Sequence, residues 1–303
     1  MTRHVGRSVR SVIVLAILTV ACAGLAAQTH FATGQDVQPV FEGWERNADG
    51  TFNMVFGYLN RNYEEEIDVP VGPNNAVAEM EGTAVSKRDP GPDRGQPTHF
   101  YARRQQFMFK VKVPKDWGTK DLVWSVTLRG KTEKAYASLM PVWEIDRHVY
   151  QQNRAGPGEL GEPDDPPTIA LIGAAQRTAT VGQPITIEAN VQDDGRPTAR
   201  PTRSGTGNTG RAAAPPATVA PRPQNPVTQS IVKLDPGVRL GVTWVVHRRS
   251  VPAGVKFAPM KSAVADGKAS TAVTFTQPGT YVIRGYADDG VLLDMTDISV
   301  TVK

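Results

Sequence analysis

Two short acidic motifs, Asp193-Asp194-Gly195 and Asp288-Asp289-Gly290, hold the most suggestive chemistry in this chain. Each closes an alternating apolar segment. A Ca²⁺ ion takes about 6–8 oxygen ligands, and grouped carboxylates suit it. Asp193, Asp194, Asp288 and Asp289 are therefore the candidate metal ligands, and Ca²⁺ is the candidate cofactor. The plainer reading is turn chemistry, because Asp and Gly both favour turns. A second acidic run, Glu64-Glu65-Glu66 with Asp68, reads as a solvated strand edge. The nucleophilic and phosphate-binding patterns fail in context. Gly205-Thr206-Gly207-Asn208-Thr209-Gly210 spells a dinucleotide-binding pattern but sits in an Arg/Pro-rich stretch, without the strand and helix that pattern needs. Gly130-Lys131-Thr132 lacks the upstream glycine of a phosphate loop, since Ser125 stands there. His30, His99, His148 and His247 have no metal-ligand spacing, and there is no Gly-x-Ser-x-Gly elbow. No catalytic residue is assigned.

Binding chemistry has one further candidate. Four of the five tryptophans, Trp44, Trp117, Trp124 and Trp143, lie in the first half of the chain. Simple alternation puts Phe52, Met54, Phe56 and Tyr58 on one face with Phe41. It puts Val40, Trp44, Val55 and Leu59 on the other. If the first face is core, Trp44, Val55 and Leu59 form a patch for a partner. The competing reading is burial against another sheet or a second domain.

The N-terminal segment reads as an address. Arg3, Arg7 and Arg10 precede an apolar run from Val12 to Ala21, and small residues follow. That order is a secretory signal peptide over residues 1–27, and no other segment could span a bilayer. Cys22, the single cysteine, is a candidate lipidation site, although Thr19 stands where the lipoprotein motif wants Leu. Removing residues 1–27 takes three of 34 basic residues and none of 30 acidic ones, which leaves a net charge of +1. A basic nucleic-acid-binding face is thereby discounted.

The remaining chain reads as short strands and turns, an all-β pattern. Residues 36–150 form a first β domain. It opens with a hairpin around Asn47-Ala48-Asp49-Gly50. Further strands are expected at 67–71, 107–113, 122–128 and 134–139, and a long loop at 72–99. Residues 151–167 form a linker, broken by Gly156-Pro157-Gly158 and Pro166-Pro167. Residues 168–303 form a second β domain, with alternation at Ile185–Gln192, Val242–Val246 and Ile298–Val302. Residues 195–229, with five arginines and no acid, form a low-complexity, disordered insertion.

Val181-Gly182-Gln183-Pro184-Ile185, Trp244, and Pro278-Gly279-Thr280-Tyr281-Val282 through Ala287-Asp288-Asp289-Gly290 resemble bacterial immunoglobulin-like and PKD-like extracellular domains. The resemblance covers about 168–192 and 240–303. It implies a sandwich with Trp244 in its core and Tyr281 closing a corner. It also implies that the two Asp-Asp-Gly loops share one end, where a linker carrying Glu162, Asp164 and Asp165 would enter. It says almost nothing about function.

Two tandem β-sandwich-like domains are thus expected. The function expected is a non-catalytic exported envelope protein, periplasmic or extracellular, that binds or scaffolds a protein or polysaccharide. The alternatives are a carbohydrate-binding accessory protein using exposed aromatics, and an enzyme with an unrecognised site in the first domain.

Overall fold

A computed structural model of the chain describes residues 31–89, 91–154, 163–197, 230–235, 237–252 and 254–303. The expected signal peptide, Cys22, Glu162, the Gly156-Pro157-Gly158 break and nearly all of the expected insertion lie outside the described residues.

The first half contains β1 (Val37–Arg46), β2 (Phe52–Asn60), β3 (Ile67–Asp68), β4 (Asn75–Glu81), β5 (Ala84–Val85), β6 (His99–Phe100), β7 (Arg103–Val113), β8 (Asp121–Leu128) and β9 (Lys131–Ala137). A 3₁₀ turn at Pro141–Trp143 and a helix, α1 (Arg147–Arg154), follow. Sheet β1-β2-β7 faces sheet β5-β4-β8-β9, and β3-β6 forms a separate pair. Aromatic rings fill the space between the two larger sheets. Phe56 stacks on Phe109 at 5.2 Å, and Phe109 meets Trp124 edge-on at 4.9 Å. The Trp124 indole, buried among them, donates to Asn75 Oδ1 at 2.9 Å, which spares its N–H an unpaired burial.

Turn chemistry sets the connections. The β1–β2 hairpin closes through Gly50 N–H to Asn47 O at 3.0 Å. Between β8 and β9, Arg129 and Gly130 both have positive φ, 51° and 78°. Such turns match the strand twist, and glycine adopts that φ without cost.

Two expectations are corrected here. The 72–99 loop contains β4, β5 and the start of β6. β4 carries Asn75 and Glu79 on its buried side, so its alternation does not read as apolar against polar. The linker does not begin at 151, because α1 runs to Arg154. Asp146 caps it by accepting from Val149 N–H at 2.9 Å, and Tyr150 packs on Phe107 with ring centroids 4.7 Å apart.

The second half contains β10 (Thr168–Leu171), β11 (Gln176–Ala179), β12 (Ile185–Gln192), β13 (Gly241–Arg249), β14 (Val255–Ala258), β15 (Lys261–Ala263), β16 (Lys268–Phe275), β17 (Gly279–Asp288) and β18 (Leu293–Val302). One sheet is ordered β10-β12-β16-β14 and the other β11-β18-β17-β13-β15, with β11 parallel to β18. This is the two-sheet partition of an immunoglobulin-like sandwich. Trp244 on β13 is fully buried, and the Tyr281 hydroxyl donates to Gln277 O at 2.9 Å, closing the corner. Among the described residues, no sheet mixes strands from the two halves. The chain is an all-β protein of two sandwich-like units.

Candidate functional site

The expected patch at Trp44 is overturned by one residue. Phe41 pairs with Phe56, but Gly43 pairs with Val55 and Trp44 with Met54, so Glu42 forms a β-bulge. A bulge adds a residue to one strand and reverses the facing of everything after it. Trp44 therefore shares the side of Met54 and Phe56. It is 3% exposed, lies edge-on to Phe52 at 5.4 Å, and donates its indole N–H to Met140 O at 2.9 Å. Val55 is fully buried and Leu59 half-buried, so the three residues form no contiguous open patch. Trp117 and Trp124 are buried as well. The segment that covers β1 carries the exposed apolar group instead. Met140, Val142 and Trp143 are 57%, 76% and 49% exposed, around the 3₁₀ turn.

The acidic residues do gather at one end of the second sandwich. Asp165 N–H donates to Asp194 Oδ2 at 3.2 Å, and the Arg196 guanidinium donates to Pro163 O at 2.7 Å. The chain entering β10 thus lies against the loop after β12. The loop after β17 joins through charge, since Asp164 and Asp288 both push the Asp289 carboxyl upward. Their surroundings differ. Asp288 is paired with Arg154 and caps its own turn by accepting from Gly290 N–H. Asp194 accepts from Arg196 N–H at 2.8 Å as well as from Asp165. Asp193 faces Arg239 at 3.2 Å through one oxygen. Asp289 accepts from Val291 and Leu292 N–H through Oδ1, but burial outweighs both bonds and lifts its pKa to about 7. Burial also raises Asp164, aided by Asp194, Asp193 and Asp165 and opposed by Arg147. Among the described residues, no three His, Cys, Asp or Glu side chains are placed to hold a metal ion.

A polar seam between the two sandwiches was not anticipated. The Arg284 guanidinium, on β17, clasps Asp297 with two bonds of 2.6 and 2.7 Å and donates a third, at 2.8 Å, to Met108 O on β7. The Tyr286 hydroxyl donates to the same carbonyl at 2.7 Å. Met108 is consequently buried, although the alternation of β7 promised one wet face. The end of β13 docks along residues 93–101. Val246 N–H donates to the Tyr101 hydroxyl at 2.8 Å, Thr98 N–H to His247 O at 3.1 Å, and Arg249 N–H to Thr98 Oγ1 at 3.0 Å. Arg249 forks onto Asp68 at 2.7 and 2.6 Å, and Arg248 onto Asp93 at 3.0 and 2.7 Å. Asp68 also holds His99 Nδ1 at 3.0 Å, while Glu66 stands 3.1 Å from His99 Nε2. His247, fully buried, faces Gly95 O at 2.9 Å. The only sequence sign of this seam is His247-Arg248-Arg249 at the end of an otherwise apolar strand.

Beside the seam lies a cavity of about 430 Å³, lined among others by Gln106, Gln152, Asn153, Ser230, Lys233 and Asp235. Its walls offer amide, hydroxyl and charged groups alongside the apolar Leu234 and Val238.

No family model matches the chain. No curated protein matches it either. Among solved structures it is similar to domains 4 and 5 of the S-layer protein SbsC, with 11% identity and a TM-score of 0.25; the match covers 61% of this chain and 65% of that one. It is similar to the D0-D1 domain of intimin, with 12% identity, a TM-score of 0.25, and coverage of 87% and 97%. The fibronectin(III)-like modules of Clostridium thermocellum CbhA give 11% identity, a TM-score of 0.23, and coverage of 88% and 94%. At TM-scores this low the likeness carries no argument. No helix among the described residues is long and apolar enough to cross a membrane.

Proposed function

We propose that this chain is a non-catalytic exported protein that works in the cell envelope as a binding or scaffolding module. The observation that carries the reading is the seam. Each sandwich supplies charged side chains and backbone groups to the other, in bonds that fix relative orientation. Such bonds between charged partners are directional and stronger than neutral ones. A scaffold needs that rigidity, and a flexible tether would not require it. The basic, then apolar, then small-residue order of residues 1–27 supports export, and the exposed Met140–Trp143 turn offers a contact surface.

The test is retention of solubilised envelope components on immobilised residues 28–303, run beside a Val142→Asp, Trp143→Ala variant. Both side chains are exposed, so the variant keeps its fold. A stoichiometric protein retained by the parent and lost by the variant supports the reading. Equal retention by both removes the turn as the contact.

A second reading, a carbohydrate-binding accessory protein, draws support from the cavity and its hydrogen-bonding walls. A stacking platform of exposed tryptophans does not support it, since among the described residues only Trp143 is substantially exposed. Retention of glycan without protein, abolished by Asn153→Ala and Gln152→Ala, would put this reading first.

A further inference from the structure

We propose that the cavity beside the seam is a binding site for a free sugar of one or two rings. The proposal rests on the second reading above and deepens it by naming the ligand and the site. Both sandwiches build the walls. Gln106 of β7 and the end of α1 stand on one side, and Ser230, residues 233–235 and Val238 on the other. These walls are fixed by bonds of their own. Ile231 N–H donates to Gln105 Oε1 at 2.8 Å, and Lys261 Nζ donates to Asp235 Oδ1 at 2.9 Å and to Lys233 O at 2.7 Å. Arg154 is paired with Asp288 across the two halves. The volume of about 430 Å³ is therefore already in place, and it matches ordinary small-molecule sites, which are largely pre-formed.

The backbone beside the cavity is unusual. Three residues of β7, 106–108, stand opposite the single Gly57 of β2. Phe107 among them has φ 54°, although it is bulky and buried. Bulges and left-handed bulky residues gather where a strand must aim groups at a ligand. Here they bring Gln106 to the cavity and the Met108 carbonyl to the seam. The wall chemistry then selects the ligand. Gln106 Nε2 lies 3.4 Å from Asn153 Oδ1, longer than a good hydrogen bond, so both amides have better bonds to make. Arg154, with a side chain 7% exposed, leaves its Nε without a partner among the described residues. Amides that donate and accept, beside a guanidinium that donates, suit hydroxyls, which do both. Leu234 and Val238 suit the C–H face of a sugar ring. Arg154 and Asp235 are already matched by Asp288 and Lys261, so a neutral polyol fits better than an ion.

Calorimetric titration of residues 28–303 with glucose, galactose, mannose, N-acetylglucosamine, maltose and cellobiose tests this. The expected result is one site per chain for at least one of them, with a Kd of about 1 mM or tighter, ordinary for so small a ligand. Tm should rise by a few degrees at about ten times that concentration. Asn153→Trp, at an exposed helical position on the wall, should fill the volume and abolish binding. Gln106→Ala should weaken it by about 10-fold. Circular dichroism of both variants should match the parent. Absence of heat and of any Tm shift with every sugar overturns the proposal. So does affinity undiminished in both variants, which would place the sugar elsewhere. Retention of polymeric glycan without binding of any free sugar would keep the second reading and sink this site.

Discussion

Gly285 faces Trp244 so closely that a Cβ there would meet the ring at 2.8 Å. The buried indole sets the sandwich core, so the space cannot be made cheaply. Gly285→Ala is expected to destabilise the protein by about 1–3 kcal/mol, the cost of overpacking, read from denaturant midpoints. The two seam histidines give opposite pH dependences. Burial lowers the pKa of His99, but the hydrogen bonds its ring donates to Asp68 and Glu66 outweigh it and leave the group above its ordinary value. Its contribution is complete below the unfolded pKa of about 6.5 and is lost as pH rises through the folded value. His247 is neutral in the fold, because burial and then Arg284 hold its pKa down to about 3. The unfolded chain binds that proton first, so stability falls as pH drops below about 6.5 toward 3. Accordingly, His99→Gln should lose its stability deficit as pH rises above neutrality. His247→Gln should flatten the loss between about pH 6 and 4. Urea melts from about pH 4 to above neutrality check both, and parallel profiles for parent and variants would contradict them.

Elements show why some of the architecture could be read and some could not. The β1–β2 hairpin was legible because Asp49-Gly50 sits between two apolar runs, β12 and β18 because their alternation is regular, and β13 because it is an apolar run. Trp244 and Tyr281 stand where the sandwich resemblance implied. The facing of Trp44 was not legible, since the bulge at Glu42 has no composition of its own. β4 escaped because its inward groups include Asn75 and Glu79, which satisfy neighbours instead of adding apolar area. The gathering of the acidic loops was expected, while the unequal surroundings of their carboxylates required coordinates. The bulge also fixes what lies above β1. Gly43 has φ 135°, and a Cβ there would fall 2.5 Å from Ile145 Cγ1 and from Trp143 O. Gly43→Ala should therefore lift the 143–145 segment off β1 and cost more than about 1 kcal/mol. The accompanying sign is a changed emission maximum from Trp44, whose indole bond to Met140 would be strained. Unchanged emission would mean that the segment is held elsewhere.

At the scale of the whole molecule, the seam decides whether two sandwiches act as one body. Interfaces between domains are often polar and permit motion by default. This one places Arg284, Tyr286, His247 and Met108 in the interior, and removing one partner from a buried charged cluster strands the others. Differential scanning calorimetry of residues 28–303 measures the consequence directly. The parent should unfold in one transition, with calorimetric and van't Hoff enthalpies equal. Arg284→Ala, which frees Asp297 and leaves the Met108 carbonyl one donor short, should divide it into two. Two independent transitions in the parent, unaltered by Arg284→Ala, would contradict the rigid module proposed here.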